Sequence, residues 1–170
     1  MAAGATYEPI VTTTLGAGAA TINLTSIPST YTDLRIVAGL VTSDSATSWM
    51  YFNSTTTTTY SQTQLYGNGT SVLSSNGTNM AHIDVAHDIL GGFTDGVTPN
   101  IVLIDIFSYA GSTNKTCLIQ YPNDKNGSGI ITTRVGLWRS TSAITTVSFA
   151  RSSGSYDAGS FVTIYGIKAA

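Results

Sequence analysis

The chain has one cysteine, one glutamate and very little charge of either sign. Its 170 residues include seven Lys and Arg and nine Asp and Glu, 9% charged in all, for a net charge of −2. An ordinary soluble domain carries about 25% charge. With Cys117 alone, no intramolecular disulfide can form, and its setting (Thr116-Cys117-Leu118-Ile119) suits a small buried hydrophobe better than a catalytic thiol. Lys and Arg nowhere cluster into the basic stripe that neutralises phosphates, so nucleic acid is not an expected partner. No apolar run approaches the ~18 residues that span a bilayer, so no membrane partner is expected either. The start, Met1 to Tyr7, has no positive segment followed by an apolar one. The expectation is a protein made in a cytoplasm and soluble until it meets its partners. No apolar repeat at 3.6 spacing lasts three turns, which limits helix to a single turn near 84–90.

What fills the chain instead is Thr, Ser, Asn and Gly, set between β-branched and aromatic residues. Such segments disfavour helix and suit a half-buried pleated sheet. A surface wetted by hydroxyls and amides also loses its water at lower cost than an ionic one, which favours packing against neighbours. The 42% apolar fraction is enough for one core, and 170 residues fit one domain, 1–170, with no linker or internal repeat.

Strands are expected at 8–15, 20–25, 33–41, 48–53, 63–66, 80–85, 101–109, 115–121, 130–139, 144–149 and 160–167. In 33–41, Leu34, Ile36, Ala38 and Leu40 alternate with Asp33, Arg35 and Gly39, giving one inward face. Residues 101–109 are apolar on both sides until Asp105, the pattern of a central strand covered on both faces. Gly67-Asn68-Gly69, Asn76-Gly77, Asp95-Gly96, Asn126-Gly127 and Ser153-Gly154 mark turns, and Pro28 closes the second strand. Thr55 to Thr59 have no periodicity, so 54–63 is expected as a hairpin tip or exposed edge, and 86–100 as a loop. Many short strands at this spacing point to an all-β, single-domain, antiparallel β-sandwich of jelly-roll type. Residues 1–15 precede the compact pattern and are expected to act as an arm or strand engaging a neighbouring subunit, with Tyr7 and Ile10 as contacts.

Candidate chemistry is sparse. His82-Ile-Asp84-Val-Ala-His87-Asp88 is the one His/Asp concentration, and His82, Asp84 and His87 offer two or three ligands to a divalent metal. No further His, Glu or Cys stands near, and the plainer reading is a polar strand end. Asp124-Lys-Asn126-Gly-Ser128-Gly129 opens like a calcium loop, but Val135 stands where the bidentate Glu belongs, so a hairpin turn is expected. Gly16-Ala-Gly18 lacks the third Gly and the helix of a dinucleotide fingerprint. Trp138, between Arg134 and Arg139, is expected as a structural anchor with an Arg close enough to lie over its ring. Asn-X-Ser/Thr sequons follow from composition. Neither a catalytic residue nor a cofactor is expected. Trp49, Tyr51, Tyr60 and Tyr66 flank the Thr run and serve either packing at cores and subunit contacts or stacking on sugar rings.

Several segments together resemble a family of small virion structural proteins of tailed bacteriophages. They are Tyr7-Glu-Pro-Ile-Val-Thr-Thr-Thr-Leu15, Ser26-Ile-Pro-Ser-Thr-Tyr-Thr-Asp-Leu-Arg35, Asp105-Ile-Phe-Ser-Tyr-Ala-Gly-Ser-Thr-Asn-Lys115, Gly136-Leu-Trp-Arg-Ser-Thr-Ser-Ala-Ile-Thr145 and Tyr165-Gly-Ile-Lys-Ala-Ala170. The likeness runs nearly end to end and is weakest over 43–100. It implies a β-sandwich component of the particle with no catalytic motif. The leading expectation is therefore a capsid decoration (cement) protein in the virion, a homotrimer bound to the major capsid protein. The alternative is a tail-fibre or receptor-binding module reading host glycan through Trp49, Tyr51, Tyr60 and Tyr66. A polysaccharide depolymerase using Asp84 or His87 ranks last.

Overall fold

A computed structural model describes residues 6–87 and 93–168. The described chain is all-β, in twelve antiparallel strands: β1 (Tyr7–Thr14), β2 (Thr21–Leu24), β3 (Asp33–Leu40), β4 (Thr47–Phe52), β5 (Tyr60–Gly67), β6 (Val72–Met80), β7 (Ile83–His87), β8 (Asn100–Phe107), β9 (Lys115–Asn123), β10 (Ile130–Trp138), β11 (Val147–Arg151) and β12 (Phe161–Ile167). They form an eight-stranded sheet, β1-β12-β3-β8-β9-β10-β5-β6, packed on a four-stranded sheet, β2-β11-β4-β7.

Successive strands β1, β2, β3 and β4 cross between the sheets, as do β7, β8, β11 and β12. These eight make the two four-stranded layers β1-β12-β3-β8 and β2-β11-β4-β7, the neighbour order of a jelly roll. Two hairpins are inserted into it: β5-β6 between β4 and β7, and β9-β10 between β8 and β11. Both join the larger sheet beyond β8 and extend it past the smaller one.

The alternation expected in β3 is present: Leu34, Ile36, Ala38 and Leu40 are fully buried between the sheets. Ile22 and Leu24 from β2, Met50 and Phe52 from β4, Val147 and Phe149 from β11, and Ile104 and Ile106 from β8 complete that layer. The inserted hairpins are tied to it by an aromatic cluster. The Phe52 and Trp138 ring centres lie 5.6 Å apart, and Tyr60 stacks on Trp138 at 6.2 Å. Trp138 is thus the anchor its position suggested, but with rings on it, not an Arg. Arg134 reaches the Asp84 carbonyl and Gln64, while Arg139 reaches the Thr58 carbonyl and Asn79.

Several local expectations are corrected. Residues 7–14 are not a detached arm: they form β1, an edge strand hydrogen-bonded to β12 of the same chain, with Ile10 half-buried against the core. Pairing with β12 satisfies one side of this backbone without a neighbour. Residues 60–63 belong to β5, not to a hairpin tip. Residues 83–87 are strand β7, and the rest of the helical turn expected near 84–90 lies outside the described residues. Strand β8 is central but covered on one face only: Ile101, Leu103 and Asp105 are half-buried and Phe107 exposed on the other. Strand β6 was not anticipated. All its residues but Gly77 and Met80 are exposed, so it has no inward face to print a two-residue period on the sequence.

Candidate functional site

The outer face of the larger sheet carries the main chemical anomaly of the molecule. Strand β10 buries Ile130, Thr132, Arg134 and Trp138 and turns Ile131, Val135 and Leu137 outward. Its more apolar side therefore faces away from the core, and a one-residue slip would reverse this. Three features fix the register. Trp138 is locked among rings, Gly136 sits where a Cβ would meet Cys117 Sγ and Ile83 at 2.8 Å, and the Arg134 guanidinium is bonded to Gln64 and the Asp84 carbonyl. Burial lowers the Arg134 pKa, opposed by the Asp84 charge.

Cross-strand register spreads this apolar surface. Val135 lies opposite Leu118, which lies opposite Asp105. Ile131 lies opposite Gly67 and Pro122, and Gly67 opposite Val72. Leu65 lies opposite Thr133, which pairs with Gln120 and through it reaches Leu103. Eight large hydrophobics are exposed among the described residues, and six are on this face: Tyr7, Leu65, Val72, Phe107, Ile131 and Val135. Ile131 is 68% exposed and Leu65 54%. Between them stand Thr63, Thr133, Gln120 and Thr116. The charged side chains among these strands on this face are Arg35 and Asp105, an ion pair at 3.3 Å, and Asp33, which accepts from the Ser108 N–H at 2.7 Å. A shallow indentation crosses it between Thr63, Asn76, Val135 and Leu137.

The aromatics singled out by sequence are not one site. Tyr60 is fully buried and its hydroxyl bonds Phe52 and Thr55; burial pushes its pKa to about 12. It cannot meet a glycan. Tyr66 is half-buried at the other end of β5, roughly 20 Å from Tyr60 at strand rise. Trp49 and Tyr51 do share a place, half-buried on the outer face of the smaller sheet. His82 stacks on Trp49 at 4.3 Å and stands edge-on to Tyr51 at 6.1 Å. Tyr7 is half exposed and its hydroxyl accepts from Arg35 at 3.4 Å.

His82 and Asp84 come together, with Nε2 and Oδ1 3.4 Å apart. Gln62 binds Asp84 twice: Nε2 donates to the carboxylate at 2.6 Å, and the Asp84 N–H donates to Oε1 at 3.0 Å. Burial pushes the Asp84 carboxyl up, but the bonds from His82 and Gln62 and the Arg134 charge outweigh it, holding the pKa below its usual value. This carboxylate is already committed within the chain. No three His, Cys, Asp or Glu groups gather for a metal among the described residues; the His87 side chain and Asp88 lie outside them. Asp124 accepts from the Gly127 N–H at 2.9 Å, with Gly127 at positive φ, so the calcium-like loop is the expected turn. Cys117 is buried, and burial raises its thiol to about 12.

Sequence alternation missed the outer face because Ile131, Val135 and Leu137 read as the inward side of β10. The available signal was the pairing of apolar Ile130 with apolar Ile131 and a strand apolar on both sides at 101–107. In comparisons with known proteins, no family model and no curated protein matches this chain.

Proposed function

We propose that the protein is a virion structural protein of a tailed bacteriophage, a capsid decoration protein that steadies the head by packing against its neighbours. One observation carries this reading. Strand β10 spends inward positions on Thr132 and Arg134 while Ile131, Val135 and Leu137 face out onto a sheet with little charge. Inside the monomer Arg134 serves as a strap to Gln64 and the Asp84 carbonyl, but the outward Ile131, Val135 and Leu137 gain little there; an assembling protein gains a face that loses water cheaply. Eight strands about 4.8 Å apart and about 27 Å long give a face on the order of 900 Å². A stable contact needs about 800 Å² per partner. The partner this face suits is a similarly uncharged, largely apolar surface of the major capsid protein, since a charged one would meet little to pair with. The segments of the sequence that resemble phage virion proteins, least over 43–100, are a further reason for this reading.

Purified protein added to heads that lack it should bind and resist 1 M salt, because there is little charge to screen. Ile131→Asp should abolish binding with the fold intact. Release by salt, or full binding by Ile131→Asp, would overturn the reading.

A second reading has its own observation. The Trp49 and Tyr51 rings beside His82, next to the small side chains of Ser148 and Ala150, form a platform on the opposite sheet. Stacking of a host glycan there would make the protein a receptor-binding module. Loss of host adsorption on Trp49→Ala, with head binding unchanged, would favour it.

A further inference from the structure

Open sheet edges invite strands from other chains, and natural proteins blunt them with short strands, bulges, Pro, charge or covering side chains. Three of the four edges here are blunted. Strand β1 carries Pro9, a register irregularity between Pro9 and Val11, and Glu8 bonded to Lys168 at 2.8 Å. Strand β2 is four residues long. Strand β7 has its outward backbone occupied, because the Asp84 N–H donates to Gln62 and its carbonyl accepts from Arg134. Strand β6 has none of these devices along most of its length. It runs nine residues, Val-Leu-Ser-Ser-Asn-Gly-Thr-Asn-Met, with no charge and no Pro, bonded to β5 on one side only. Its single irregularity lies at the Met80 end.

We propose that the open edge of β6 pairs, antiparallel and about a two-fold axis, with β6 of a second copy of this chain. The inference rests on the reading of the protein as an assembly component but uses a different surface from the sheet face. The occupant follows from the strand itself. A two-fold axis sets each strand opposite its own sequence, so any charge near the axis would face its like. Strand β6 has no charge to repel, and its Ser, Thr and Asn side chains both donate and accept, so each can bond its own kind. An axis normal to the sheet also keeps like faces together. The apolar outer face would then continue across the seam, and Val72, 71% exposed, and Leu73, 48%, would find cover there. A foreign strand selected by charge would find nothing on β6 to recognise.

The seam is narrow. Nine residues span about 30 Å at strand rise and bury less than the roughly 800 Å² per partner of a permanent dimer. The pairing is therefore a weak, reversible one in solution, strengthened when many copies are held on one particle.

Sedimentation velocity of the whole purified chain between about 1 and 200 µM tests this without any capsid. The expected result is a reversible monomer–dimer equilibrium, with amides of Val72–Met80 gaining hydrogen-exchange protection as concentration rises. Asn76→Lys, an exposed change at the middle of the strand, should weaken dimerisation at least tenfold. Asn76→Glu should do the same, and mixing the two should restore a heterodimer. Val97→Asp, in an exposed connection outside both surfaces, is the control and should dimerise normally. A monomer at 200 µM, a trimer indifferent to Asn76→Lys, or a dimer broken by Ile131→Asp but not by Asn76→Lys would each overturn the proposal. Failure of the decoration reading looks different: the β6 dimer forms, but heads do not bind.

Discussion

The two halves of the larger sheet differ in how much polar side chain they turn inward. In β3 and β8, apolar inward positions face the smaller sheet and burial follows alternation, and β12 buries Val162 and Ile164 on the same side. In the extension, β9-β10-β5-β6, β9 still buries Cys117, Ile119 and Tyr121, but the inward positions of β10 and β5 include Gln62, Gln64, Thr132 and Arg134, while Leu118, Ile131, Val135, Leu137 and Leu65 turn outward. The first half is organised by its own core. The second is anchored by Trp138, Tyr60 and the inward side of β9, and it also offers an apolar surface outward. The smaller sheet has only four strands, so it covers the jelly-roll half and ends at β7. Past β7, polar side chains bind the extension to its edge.

The sharpest break in this comparison is at the anchor. Trp138→Ala should cost about 3–5 kcal/mol in urea unfolding, because it empties a large buried volume between the extension and the smaller sheet. Exchange protection should fall first in β10, β5 and β6; uniform loss across both sheets would mean the halves are one cooperative unit. Next is the polar strap. Gln62→Ala leaves the Asp84 N–H and carboxylate short of partners and should cost about 1–3 kcal/mol.

The same strap sets an acid sensitivity. The folded Asp84 carboxyl lies below its usual value of 3.8, so its stabilisation is complete above that pH and is lost as pH falls through the folded pKa. Thermal melts of the native chain should therefore drop below about pH 4, and Asp84→Asn should flatten that drop while lowering stability at neutral pH. The smallest effect on stability belongs to the outer face. Ile131→Asp should change unfolding by no more than about 1 kcal/mol, the difference in strand propensity, since the side chain is already exposed. A large loss would show that Ile131 is held by its own chain and is not free for a partner.

Much of the jelly-roll half was legible in the chain. Leu34, Ile36, Ala38 and Leu40 print their face on the sequence because one side of β3 meets the core and the other does not. Burial of Cys117 followed from its apolar neighbours. The extension was legible only in part. β6 escaped because neither of its faces is buried, and the outward face of β10 escaped because Ile131 and Val135 look like core residues by type. The aromatic set dispersed for a related reason: Trp49, Tyr51, Tyr60 and Tyr66 are close in sequence, but alternation and a change of sheet send them to three places.

The amino-acid sequence was enough to make this chain β-structured, antiparallel and poor in charge, since hydroxyl-rich β-branched segments with frequent turns disfavour helix, and one cysteine allows no disulfide within the chain. The tertiary structure alone decided which apolar side chains became core and which became surface. That choice depends on where the four-stranded sheet ends, and on the locking of Trp138, Gly136 and Arg134 that fixes the register of β10, both products of contacts between residues far apart in the chain.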